Sequence, residues 1–144
     1  IETARSMGFD VIDCSRQDPV EAVKKLTDGE GADAVIVAVG ATSANQQGLS
    51  MLKEKDGRIL LFAAGYPAPE IEIDSNTVHY RRMEVLGTFG ADNRDFEEAA
   101  RALSSGIIDV SKLIEEKTFR LDQIQEAYAY ASEPGRYRVS VLLD

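Results

Sequence analysis

The chain is short of the residue types on which metal and thiol chemistry depend. Among its 144 residues there is one cysteine, Cys14, one histidine, His79, and no tryptophan. A lone cysteine excludes an intrachain disulfide framework and suits a reducing compartment, so a cytoplasmic setting is expected. Catalytic zinc takes three protein ligands from Cys, His and carboxylate, and one His with one distant Cys do not make such a set. His79 stands in the polar stretch His79-Tyr80-Arg81-Arg82 and reads as a surface residue. Basic residues are also scarce, 16 Lys and Arg against 25 Asp and Glu, for a net charge of −9. That balance argues against nucleic acid or an anionic membrane as partner, because phosphate contacts need clustered cations. No apolar run reaches the ~18–20 residues of a membrane span. The sequence has no nucleophile elbow, no phosphate-cradling P-loop, no internal repeat and no low-complexity segment. It opens on Ile1 rather than Met, and the expectation is that the native start lies upstream.

What is present is an alternation of strands and helices. Residues 1–7 read as the tail of a helix stopped by Gly8. Residues 9–13 (FDVID) form a strand candidate, and Asp18-Pro19-Val20-Glu21 announces a helix, with Asp18 as cap, Pro19 at the first position and Glu21 completing a capping box. Residues 34–39 (AVIVAV) make a continuous apolar run of strand length, the look of a strand buried on both faces of a parallel sheet. Gly40 ends it, and a helix follows with Ala44, Gly48, Met51 and Leu52 on one side. Residues 59–63 (ILLFA) are a second such run. Pro67 and Pro69 mark a loop, residues 71–73 a short edge strand, and residues 83–89 (MEVLGTF) a third strand. Asp92 or Asn93 caps a helix whose core face is Phe96, Ala99, Ala100 and Leu103, and Gly106 stops it. Residues 112–119 are ambiguous, residues 122–131 helical, and residues 137–143 a final alternating strand. The fold class expected is α/β with a parallel sheet.

A dinucleotide fingerprint must follow a strand and open a helix, so that backbone N–H groups face the pyrophosphate. Gly29-Glu30-Gly31 precedes a strand and reads as a turn. Gly40-Ala41-Thr42-Ser43 follows a buried strand and opens a helix, which places it at the ligand edge of a parallel sheet. Arg138, two residues after Arg136 in the last strand, is of the type suited to bidentate phosphate recognition. The spacing puts both on one face of that strand, and a solvated surface role is the plainer reading of each.

In order along the chain, these segments resemble the second half of the medium-chain, zinc-type alcohol/sorbitol dehydrogenases. The resemblance is carried by Met7-Gly8-Phe9-Asp10-Val11-Ile12, by Gly31-Ala32-Asp33-Ala34-Val35-Ile36 closing at Gly40, and by Gly57-Arg58-Ile59-Leu60-Leu61-Phe62. Glu84-Val85-Leu86-Gly87-Thr88-Phe89, then Phe119, Leu121 and Glu126-Ala127, then Arg136-Tyr137-Arg138-Val139 complete it. No segment is specific alone; their order and spacing are. The family departs from this chain at Ala63, where it usually has glycine, and at Gly90, where polyol enzymes often have arginine, which weakens the expectation of a polyol substrate.

The resemblance implies the second half of a Rossmann-type sheet, strands 3 to 6 of the order 3-2-1-4-5-6, with a C-terminal segment returning to a catalytic domain. It implies a partial nucleotide-binding domain over residues 1–105 and a catalytic-domain segment over residues 106–144. It places Val39 and Gly40 beside the adenosine of NAD or NADP, and Phe62, Ala63 and Ala64 on the nicotinamide side. Thr88, Phe89 and Gly90 would present backbone to the carboxamide, and Arg138 would approach the pyrophosphate. The glycine fingerprint, the residue choosing NAD over NADP and the zinc ligands would lie outside this chain, so the chain alone is expected to be inactive. The full-length enzyme would oxidise an alcohol or polyol, and homo-oligomers through the sheet edges are expected. A zinc-free quinone-reductase branch and a non-catalytic α/β binding or assembly domain are the alternatives.

Overall fold

A computed structural model describes residues 1–143, and the chain divides into two compact units, Ile1–Gly90 and Ala91–Asp144. The first holds α1 (Glu2–Ser6), α2 (Pro19–Leu26), β1 (Ala34–Val37), α3 (Thr42–Met51), β2 (Arg58–Leu61), α4 (Ser75–Arg81) and β3 (Glu84–Gly87). The strands form one parallel sheet in the order β1-β2-β3, with Val35 level with Ile59 and Val85 and Ile36 level with Leu60 and Leu86.

Parallel pairing requires a crossover, and α3 supplies it between β1 and β2. It lies on the face that carries Val35, Val37 and Ile59. At Gly48 a side chain would come within 3.0 Å of Ile59 Cδ1 and Val37 Cγ2, so the glycine lets the helix seat directly on the strands. Val37, Leu49, Leu52, Ile59 and Met83 form the core, and Ile59 is wholly enclosed. The opposite face is bare: Ile36 is 65 % exposed and Leu86 43 %. The continuous apolar run read as buried on both faces is therefore covered on one.

Three other expectations change. Residues 9–13 form no strand and Phe9 is exposed, because backbone groups become a strand only when a neighbour completes the ladder. The sheet accordingly has three strands, not the four implied by strands 3 to 6. Residues 71–73 are not a strand either; Ile71 and Ile73 alternate because both pack against the core. The polar stretch from His79 belongs largely to α4, capped by Asp74, which accepts from the Thr77 N–H at 2.9 Å and its hydroxyl at 2.6 Å. Arg82 closes α4 in the left-handed region, at φ 49°. Arg81 donates to the carbonyls of Leu52, Lys53 and Glu54, satisfying acceptors just past the end of α3. At α2, Asp18 accepts from the Glu21 N–H as expected of the cap.

The second unit holds α5 (Asn93–Ser104), β4 (Ile114–Arg120), α6 (Ile124–Ala131) and β5 (Arg138–Leu142). Asp92 and Asp95 close a capping box on α5. The face expected to be core is exposed, with Phe96 at 67 % and Leu103 at 47 %. The ambiguous residues become a short 3-10 turn and β4, which pairs in parallel with β5 across α6. Phe119 and Ala127 are the buried apolar residues there.

Arg136 does not share a strand face with Arg138. It lies in the turn before β5, where its guanidinium donates to Glu133 at 2.7 Å and to Glu115 at 3.3 Å and stacks 4.0 Å from the centre of the Tyr130 ring. Glu115 also accepts from the Tyr137 N–H at 3.1 Å and the Tyr130 hydroxyl at 3.2 Å. These donors, the Tyr137 N–H foremost, hold the Glu115 carboxyl below the usual carboxylate range.

Two predictions follow from the packing. Ile59→Ala is expected to cost about 2–5 kcal/mol in urea unfolding, and Ile36→Ala on the bare face less than about 0.5 kcal/mol; comparable losses would mean that both faces are covered. For Glu115, the folded pKa is below the unfolded one, so its stabilisation is complete above the ordinary Glu range and disappears as pH falls through the depressed value. Glu115→Gln should lower Tm at neutral pH and reduce the drop in Tm on acidification. Parallel Tm-against-pH curves for the two proteins would refute this.

Candidate cofactor cleft

Because β1, β2 and β3 run parallel, their carboxyl ends share one edge of the sheet, where ligands of open α/β folds bind. At that edge a cleft of about 280 Å³ is lined by Phe62, Ala63 and Ala64 after β2 and by Thr88, Phe89 and Gly90 after β3. The structure thus brings together, from two strand ends, six of the residues singled out in the sequence. The rings of Phe62 and Phe89 are largely in solvent, at 61 % and 104 % exposure. Gly90 has φ +71°, in the left-handed region that favours glycine. None of these six side chains is ionisable. The cleft offers apolar surface, the Thr88 hydroxyl and backbone groups, which serve to bind and orient a ligand rather than to transfer a proton.

Val39 and Gly40 leave β1 beside it, and Val39 is exposed. Two N–H groups, of Phe62 and Ala63, donate to the Val37 carbonyl at 3.1 and 3.2 Å and are the last rungs between β1 and the chain leaving β2. The backbones then cross at Gly40 and Gly65. A Cβ on Gly40 would lie 2.6 Å from Gly65 Cα, and one on Gly65 would lie 3.0 Å from the Gly40 carbonyl carbon. Neither glycine has a positive φ, so the restriction is one of space. Sequence reasoning missed Gly65, because the backbone it approaches, at Gly40, is remote in sequence.

The turn from Gly40 to Ser43 opens α3, whose N-cap, Ala41, makes no side-chain capping bond. Thr42 Oγ1 accepts from the Glu70 N–H at 2.9 Å, and the buried Asn45 amide donates to the Glu70 carbonyl at 2.9 Å. The first turn of α3 therefore holds the chain that returns from the cleft. Arg138 lies in the second unit, exposed at the first position of β5.

A larger hollow of about 580 Å³ opens between α3, α4 and residues 72–74. Its polar walls are already engaged: Gln46 with the Glu72 carbonyl, Thr77 with Asp74, Arg81 with the carbonyls after α3. Among the described residues no three His, Cys, Asp or Glu side chains converge on a point where a metal could sit, and no helix is long and apolar enough to cross a membrane.

The profile of the zinc-binding dehydrogenase family matches residues 1–105. The chain is similar to the sorbitol dehydrogenase of Halalkalibacterium halodurans, 30% identical over 99% of this chain and 40% of that protein. Among solved structures it is similar to benzyl alcohol dehydrogenase from Acinetobacter calcoaceticus, with TM-score 0.82 and 23% identity over 99% of this chain and 40% of that one. It is also similar to a zinc-binding dehydrogenase of Sinorhizobium meliloti 1021 solved with NADP, with TM-score 0.77 and 23% identity over 92% of this chain and 38% of that one. The chain spans about 40% of the length of the curated relatives it matches first.

Proposed function

The chain belongs to the zinc-binding dehydrogenase family, and from that premise we propose that it supplies the nicotinamide-facing part of an NAD(P)-dependent oxidoreductase acting on an alcohol or polyol. The observation that carries the reading is the cleft at the carboxyl ends of β2 and β3, built from two segments that contribute backbone, small side chains and two exposed aromatics. A dinucleotide is a fitting occupant: the Gly40–Gly65 crossing brings bare backbone to the cleft's edge, and residues 88–90 add backbone groups beside it. The related enzymes named above point the same way, one by its substrate and one by its cofactor.

In this reading the cofactor, when bound, supplies the site that accepts or donates a hydride. Phe62, Ala63 and Ala64 would line the nicotinamide side and exclude water there. Thr88, Phe89 and Gly90 would present backbone to the carboxamide and so orient the ring. Val39 and Gly40 would flank the adenosine, and Arg138 is the cation that the resemblance assigns to the pyrophosphate. Among the described residues no three His, Cys, Asp or Glu side chains converge, so a zinc used by the full-length enzyme would take its ligands from outside these 144 residues. The bare sheet face at Ile36 and the exposed face of α5 suit a chain that works as part of a longer protein. Residues 1–105 would be the nucleotide-binding portion and residues 106–144 part of the catalytic domain.

The full-length enzyme is expected to oxidise an alcohol or polyol while reducing NAD or NADP, and the 144-residue chain alone to do neither, with or without added zinc. Turnover by the isolated chain, or none by the full-length enzyme with any alcohol, polyol or either cofactor, would overturn the proposal. Within the full-length enzyme, Arg138→Ala should weaken cofactor binding roughly ten- to a hundredfold, the loss of one charge-assisted contact of about 1.5–3 kcal/mol. Arg136→Ala should lower Tm through the lost Glu115 and Glu133 pairs while leaving cofactor affinity near its original value. Equal cofactor affinities for Arg138→Ala and the parent enzyme would remove Arg138 from the site.

A further inference from the structure

After Ala63 the chain leaves the ladder of β1, and it is next fixed at Glu70 by Thr42 and Asn45. Between these anchors lies the Gly40–Gly65 crossing. Within this wall of the cleft Phe62 and Ala63 are themselves bonded to Val37, and Ala64 alone spans from these last rungs to the close approach at Gly65. A side chain at Gly65 would collide with the Gly40 carbonyl and come within 3.1 Å of Gly40 Cα. The obstacle is backbone, and Gly40 is held between β1 and the first turn of α3, with the Ala41 N–H bonded to the Val39 carbonyl at 3.0 Å and the Asn45 N–H to the Ala41 carbonyl at 3.1 Å. Relief has to come from displacement of the segment, away from Gly40. The other wall, residues 88–90, is reached from β3 on the far side of β2 from β1.

We infer that Gly65 is a positioning residue: through its backbone contact with Gly40 it holds the chain leaving β2 against the chain leaving β1 and so sets the width of the cleft that receives the nicotinamide end of the cofactor. The inference rests on the cofactor reading above and adds to it a residue that touches no ligand. It carries a directional consequence. A side chain at position 65 pushes the chain at Ala64 away from Gly40, toward residues 88–90, and narrows the nicotinamide half of the site, while Val39 and Gly40, held between β1 and α3, keep the adenosine half in place.

The test uses two ligands of the full-length enzyme, NAD(P) and the matching ADP-ribose, which lacks the nicotinamide. Gly65→Ala should weaken NAD(P) binding by roughly tenfold or more and ADP-ribose binding by less than about twofold. Gly48→Ala is the control for destabilisation alone, since its methyl group crowds Ile59 and Val37 in the core at 3.0 Å; it should lower Tm and shift both ligands equally or not at all. If Gly65→Ala does not fold, Ala64→Gly loosens the same segment without adding an atom and should weaken NAD(P) selectively by two- to fivefold. Unchanged NAD(P) affinity, or equal weakening of both ligands, overturns the inference while leaving the cofactor reading intact. Failure of the unsubstituted enzyme to bind either ligand removes the cofactor reading and this inference with it.

Discussion

The seating of α3 on β1 and β2 is the contact on which the first unit depends. Gly48 lets the helix axis approach Val35, Val37 and Ile59 without an intervening side chain. Leu49 on the same helix and Leu52 at its C-cap then close over Ile59 and Met83. Two things follow. The crossover fixes β1 and β2 as parallel neighbours, so their carboxyl ends fall together and a cleft forms beside them. The polar residues of the helix's first turn, Thr42 and Asn45, meet Glu70 and hold the chain that comes back from that cleft. One helix thus sets both the core and the return path of the site.

The second unit is held differently. Its apolar interior is small, Phe119 and Ala127, and beside it lies a polar cluster around Tyr130. The phenol ring takes the Arg136 guanidinium on its face and has Lys117 at 5.0 Å, while its hydroxyl meets Glu115. Partial burial and the bond to Glu115 raise the Tyr130 pKa. The cluster joins the first strand of the unit to the turn before the last, so it fastens the β-α-β arrangement at its open end. Cation–π and charge-assisted contacts here supplement the small apolar interior.

Much of this could be read from the residues. The strands were legible because β1 and β2 are apolar runs of strand length, and residues 62–64 and 88–90 could be named before their geometry was known because the family resemblance implied them. What was not legible depends on partners remote in sequence. A strand at residues 9–13 needs a neighbour that this chain does not provide. Ile71 and Ile73 alternate like a strand, but the period reflects burial alone. The helix α4 was hidden by its polar composition, although Asp74 and Thr77 mark its start. Gly65 gains its meaning from Gly40, and Arg136 from Glu115, and neither pairing leaves a local mark. Ile36 was expected to be buried with the rest of its apolar run, but the chain covers only the other side of the sheet and leaves Ile36 and Leu86 exposed.

The short connection 66–69 has both ends tied, one by the Gly40–Gly65 crossing and the other by the bonds of Thr42 and Asn45 to Glu70. Tyr66 at its start is fully in solvent. A loop whose ends are held independently of its interior can change length at little cost, about 0.6 kcal/mol for each doubling. That makes 66–69 a natural point for inserted sequence: a peptide tag or a small reporter placed there would be carried next to the cleft without passing strain into either strand. The same property lets such a loop vary widely between otherwise similar proteins while the residues on either side of it stay in register.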